Sequence, residues 1–127
     1  MRKYWLSPLL VLALLFGGAM ANAHYVARSV EDWCAGVELS LAAAETEDWD
    51  GAREALDAVY AAWDARQTYF HIMVEHEEQD AAEALFAVSR SFAAAEEGAE
   101  FCANTAELLT QLALLREMEE ISIKNIL

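Results

Sequence analysis

The chain has 127 residues, with 22 acidic against 8 basic side chains and a formal net charge of −14. That length suits one small core and no second domain. That charge repels nucleic acid and anionic lipid headgroups, so neither nucleic acid nor peripheral membrane binding is expected.

Arg2 and Lys3 precede a nearly uninterrupted apolar run from Trp5 to Ala23. The run is long enough to cross a bilayer, and the positive pair places Met1 on the cytoplasmic side. Everything beyond is then extracytoplasmic. Pro8 sits near the start of this helix, where proline is tolerated. Two readings of residues 1–23 stand side by side. One is a retained single-pass membrane anchor. The other is a signal peptide cleaved after Ala23, since Ala21-Asn22-Ala23 is a small-x-small site. With Arg2 and Lys3 set aside, six basic residues face all 22 acidic ones, so residues 24–127 carry −16.

Residues 24–127 contain no proline and only Gly36, Gly51 and Gly98, and strand-like alternation is scarce. The chain therefore reads as all-α. The first helix is expected over 24–45, with Val26, Val30, Trp33, Val37, Leu41 and Ala44 on one face. Nothing breaks it from the apolar run. Thr46 or Asp48 can cap the second helix, with acidic residues suiting its positive end. That helix is expected to end near Glu77, burying Ala52, Leu56, Val59, Trp63, Phe70 and Met73. Asp80-Ala81-Ala82-Glu83 has the spacing of a capping box and predicts the third helix, with a stripe of Ala84, Leu85, Val88, Phe92 and Ala95. Gly98 is placed to close it in the left-handed conformation. The fourth helix carries Phe101, Cys102, Ala106, Leu109, Leu112 and Leu115. The apolar tail 121–127 folds back on the bundle or extends along it. Short connections predict a four-helix up-down bundle. Stacked helical hairpins are the alternative, but no 34-residue repeat supports them.

Several residues form a familiar ordered set: Tyr25-Val26 and Ser29; Trp49-Asp50-Gly51-Ala52; Trp63; His76-Glu77-Glu78-Gln79-Asp80 with Glu83 and Leu85; and the ending from Ile121 to Leu127. Together they resemble the family catalogued as domain of unknown function 4363, along essentially the whole chain. The resemblance implies a small bacterial protein with a membrane segment and a helical extracytoplasmic domain, anchored rather than secreted, with a membrane protein as partner. It supplies no catalytic residue. Gln79 stands where that pattern is usually aliphatic, and Ala82 where it has a larger aliphatic.

His71, Glu75, His76, Glu78 and Asp80 are the best chemical candidates. Imidazoles with carboxylates could hold a divalent ion, with His71, Glu75 and His76 as ligands. Against this, His71 and His76 are five apart, which rotates them away from each other on a helix. His76 also suits a helix C-terminus as a cation. Cys34 and Cys102, both exported, are expected to form a disulfide, the alternative being two buried thiols. Trp33, Trp49, Trp63, Tyr60, Tyr69 and Phe70 read as core before they read as a ligand pocket. No cofactor is implied and no triad stands out, so the chain is not expected to be an enzyme. The leading expectation is an anchored accessory module for a membrane protein; the alternative is a small ligand- or metal-binding bundle.

Overall fold

The structure, a computed structural model, describes residues 2–73 and 76–126. It is all-α, as expected. In chain order the helices are α1 (Arg2–Glu45), α2 (Trp49–Ala65), α3 (Gln67–Met73), α4 (His76–Ala94) and α5 (Gly98–Ile126). The apolar run and the first bundle helix are one continuous helix of 44 residues, about 66 Å long at 1.5 Å per residue. Pro8 lies within it.

α1 packs against α2 on one side and α5 on the other, α4 packs against α5, and α2 touches α4 more lightly. Cross-contacts run in opposite order along neighbours. Ser40 reaches Ala52 and Trp33 meets Trp63; Asn104 reaches Leu85 and Gln111 reaches Glu78. These are the antiparallel neighbours that short connections favour. A Cβ at Gly36 would lie 2.1 Å from Val59 Cγ2, so this glycine permits the close approach of α1 to α2.

The predicted faces of the first two helices are the buried ones. Val26, Val30, Trp33, Val37 and Ala44 are buried on α1, and Ala52, Leu56, Val59, Trp63 and Phe70 on α2 and α3. Met73 falls among the side chains outside the description. The stripe of α4 is displaced, and that of α5 holds at Phe101, Leu112 and Leu115 but not at Ala106. α4 buries Gln79, Ala82, Phe86, Ser89 and Ala93, whereas Val88 is exposed. α5 buries Phe101, Thr105, Leu108, Leu112 and Leu115, whereas Ala106 is exposed. Small hydroxyl residues take core positions because their polar atoms find partners inside. Thr105 Oγ1 donates to Phe101 O at 2.8 Å, Asn104 Nδ2 donates to Ser89 Oγ at 2.6 Å, and Ser40 Oγ donates to Ala52 O at 2.6 Å. Such pairing offsets the cost of burying a hydroxyl.

Three boundaries depart from expectation. The long second helix is interrupted at Arg66, whose N–H donates to Trp63 O and Asp64 O in a tightened final turn. The helix holding Asp80 and Glu83 begins at His76 instead, with Glu77 and Glu78 in its first turn at the positive dipole end. Asp80 is therefore interior and Glu83 caps nothing. Gly98 opens α5 and has no positive φ; the left-handed residue is Glu96, with φ 57°. Glu96 N–H bonds to Ala93 O, and Glu97 N–H to Phe92 O. Glu47, with φ 61°, ends α1 the same way, through Glu47 N–H to Ala44 O and Asp48 N–H to Ala43 O. Both connections are Schellman motifs with glutamate where glycine is usual. Asp48 then caps α2 by accepting from Gly51 N–H at 3.0 Å, while Thr46 turns back to Ala43 O.

Candidate functional site

The two ends of the bundle differ. At the end holding the α1–α2 and α4–α5 connections, the Trp49 ring packs edge-on to Phe101, with centroids 5.6 Å apart, and lies against Gly98. At the other end α1 leaves the bundle. There its large apolar side chains from Tyr4 to Met20 are 46–83% exposed, with no protein against them. This is the one helix among the described residues long and apolar enough to cross a membrane.

α3 sits beside that exit. The Tyr69 hydroxyl donates to Asn22 Oδ1, and the Tyr69 and Phe70 rings meet Tyr25 at 4.7 and 6.2 Å. Ile72, on the same short helix, is 76% exposed. Above this lies an aromatic core. Trp33 stands 4.9 Å from Trp63 and 5.1 Å from Phe70, and Trp63 stands 5.4 Å from Phe86. The Glu83 carboxylate bridges α4 to α2, accepting from Tyr60 Oη at 2.5 Å and Trp63 Nε1 at 2.6 Å. Its hydrogen bond, with burial, raises the Tyr60 pKa above its ordinary value. Trp33, Trp63 and Phe70 are thus core residues.

The helix break adds a polar cluster to this aromatic wall. The Arg66 guanidinium lies 5.8 Å from the Tyr25 ring centroid and 5.9 Å from that of Trp33, within cation–π range. Gln67 follows it in sequence, and Gln79 Nε2 donates to Gln67 Oε1. Among the described residues, the buried side-chain polar atoms without a hydrogen bond are Trp33 Nε1, Arg66 Nη1, Gln67 Nε2 and Gln79 Oε1. They fall in two pairs, Trp33 with Arg66 and Gln67 with Gln79, joined where Gln67 follows Arg66 in the chain. Arg53, Arg90 and Arg116 each have a carboxylate partner, whereas half-buried Arg66, like exposed Arg28, has no ion pair among the described residues.

Of the residues singled out in the sequence, Glu75 and the side chains of His71 and His76 lie outside the described residues. Cys34 and Cys102 are free thiols, not the expected disulfide. Cys102 follows Phe101 at the Trp49 end, whereas Cys34 lies at the level of Arg116, whose charge reaches it. Fourteen helical residues separate positions 102 and 116 on α5, about 21 Å against the 7 Å or less that a disulfide allows between Cα atoms. Burial first, then Glu38, raises the Cys34 pKa, with Arg116 opposing.

A groove of about 380 Å³ between α2 and α4 is lined by Arg53, Leu56, Asp57, Ala87, Arg90 and Ser91, among others. Its arginines are already occupied, Arg53 by Asp50 and Glu96 and Arg90 by Asp57 and the Tyr60 ring. Sequence reasoning missed Arg66 and Gln67 altogether. Gln79 did carry a signal, since an amide stood where an aliphatic residue was expected.

The family model described as "Domain of unknown function (DUF4363)" matches residues 20–126. No curated protein and no solved structure matches the chain.

Proposed function

The chain belongs to the DUF4363 family, and from that premise we propose that it is a single-pass anchored protein whose extracytoplasmic bundle serves as an accessory to a membrane protein. The observation that carries this reading is the unbroken α1, unpartnered and apolar in its first half and packed on one face in its second. A rigid helix of this kind transmits the position of the bundle directly to the bilayer. Arg2 and Lys3 at its start favour a cytoplasmic N-terminus.

Retention of the anchor is supported by the residues at the cleavage pattern. Asn22 and Ala23 are half-buried against the bundle, and Asn22 accepts from Tyr69. Cleavage after Ala23 would cut a continuous helix and remove a residue that the bundle uses. The reading assigns no reaction to the protein. Its acidic surface, −16 over residues 24–127, fits a partner with a basic extracytoplasmic face.

The test is affinity purification of C-terminally tagged protein from cross-linked, detergent-solubilised membranes. The expected result is a reproducible integral-membrane partner that disappears when residues 24–127 are deleted. Recovery of the tagged protein alone, from cells that make it at native level, would count against the accessory role.

A further inference from the structure

We propose that the break between α2 and α3 is a phosphate-binding site, built from Arg66, Gln67, Trp33 and Gln79, that holds the headgroup phosphate of a phospholipid. This rests on the anchored reading and deepens it.

The chemistry follows from what is left unpaired. Arg66 Nη1, Gln67 Nε2 and Trp33 Nε1 are donors, and Gln79 Oε1 is an acceptor. Trp33 and Gln79 are 1% and 3% exposed, so water does not freely reach them. A buried donor or acceptor without a partner is costly, and four in one place is more than a folded protein ordinarily leaves. Three unpaired donors, one of them on a guanidinium, suit an oxyanion rich in acceptors. A phosphate fits that fork better than a neutral ligand does. Arg66 is already held over Tyr25 and Trp33, so little further ordering is needed when it binds.

Depth selects the source of the phosphate. Tyr25 follows Tyr4 by 21 residues on one helix, about 31 Å at 1.5 Å per residue, against a hydrocarbon core of about 30 Å. Tyr4 and Tyr25 thus stand one at each interface, where tyrosine is favoured. Arg66, over the Tyr25 ring, then lies in the outer headgroup layer. Exposed Ile72 on the adjoining helix faces the same layer. The strongly negative bundle argues against a patch of anionic lipid, but not against one phosphodiester whose headgroup carries its own cation. An ethanolamine headgroup also brings N–H donors, which Gln79 Oε1 can accept.

The test uses the full chain in maltoside detergent and follows thermal unfolding as ligand is added. The probes are dihexanoylphosphatidylethanolamine, inorganic phosphate, and chloride at matched ionic strength. Binding to the folded state raises the Tm. We expect a rise of about 5 °C with saturating phospholipid and none with chloride. Arg66→Gln should lose at least half of that rise, and Arg53→Gln none of it. Trp33→Phe, which keeps the ring and removes the donor, should also reduce it, and it carries the test if Arg66→Gln fails to fold. An equal, Arg66-dependent rise with inorganic phosphate would keep the site and name free phosphate as its ligand. No rise with either phosphate, or a rise that both variants retain in full, overturns the proposal. Alkaline extraction of native membranes separates the two levels. A chain released into the supernatant sinks the anchored reading itself. A chain that stays in the membrane but shows no phosphate effect sinks only this inference.

Discussion

The far end of the bundle, with its two tight connections, and the near end, where the apolar half of α1 leaves the bundle, are built on opposite principles. The far end closes itself by local backbone chemistry. Two Schellman motifs satisfy the last carbonyls of α1 and α4, and Asp48 caps α2. The near end has a broken helix and four unpaired buried polar atoms. It is held by aromatic packing among Tyr25, Trp33, Trp63, Tyr69 and Phe70. The contrast teaches that the described polar groups are satisfied locally at one end and left over at the other. One end is locally complete; the other has groups still able to bind something.

The sharpest way to break this division is to remove the aromatic keystone. Trp63 is fully buried, touches Trp33 and Phe86, and donates to Glu83. Trp63→Ala should cost about 3–5 kcal/mol, by analogy with other large core truncations. It also strips one donor from the Glu83 carboxylate. Urea denaturation measures the loss. Hydrogen exchange should place the loosening at α3 and the adjoining turn of α4, while the α1–α2 connection stays protected. Uniform loosening of both ends would show that they are one cooperative unit.

At the far end the corresponding cut is Asp48→Ala. It deletes the acceptor for Gly51 N–H and should cost about 1 kcal/mol. Exchange at the first turn of α2 should rise, and the phosphate response of the near end should not change. A change in that response would mean the ends are coupled through α2.

How legible this was in the sequence differs along the chain. The stripes of α1 and α2 follow large apolar residues at three- and four-residue steps, and Val26 through Trp63 stood out for that reason. α4 and α5 carry alanine on several faces, so periodicity in size is weak. Core positions there are also taken by Thr105, whose hydroxyl is satisfied one turn back at Phe101 O, and by Ser89, whose partner Asn104 comes from another helix and is found only in three dimensions. Glu83 matched a capping pattern, yet its carboxylate is claimed by Tyr60 and Trp63 from another helix. Cys34 and Cys102 misled because the connection lengths that set the level of α5 could not be read closely enough. The Arg66 cluster assembles residues from α1, the break after α2, α3 and α4, and no local spacing announces it.

A smaller gain tests whether the far end is closed as well as it can be. Glu47 and Glu96 hold φ values of 61° and 57°, which cost an L-residue about 1–2 kcal/mol. Glycine removes that cost but frees the unfolded chain, by about 0.4–1 kcal/mol. Glu47→Gly and Glu96→Gly should each stabilise the protein by about 0.5–1 kcal/mol. Relief of charge among the neighbouring acidic residues acts in the same direction at Glu47, whereas Glu96→Gly also gives up an exposed ion pair with Arg53. A loss on either change would show that these glutamates do more than turn the chain.

The gentlest probe is alkali, and it acts between the two ends. Cys34, on α1, and Tyr60, on α2, both have pKa values raised in the folded state from 9.0 and 10.0. A raised acid pKa means that the folded protein holds its proton more tightly than the unfolded chain does. The resulting stability is complete below the unfolded pKa and is lost as pH climbs through the folded one. Stability should therefore be level up to about pH 9, fall first through Cys34, and fall again above pH 10 through Tyr60. Cys34→Ser should remove the first step, and Tyr60→Phe the second. The steps have different origins. Cys34 resists ionisation chiefly because it is buried, whereas Tyr60 does so chiefly because its hydrogen is committed to Glu83. Tyr60→Phe should accordingly lower stability at neutral pH as well, by leaving the Glu83 carboxylate one donor short. Denaturation curves at pH 7, 9 and 10.5 on the two variants distinguish a committed hydrogen bond from simple burial.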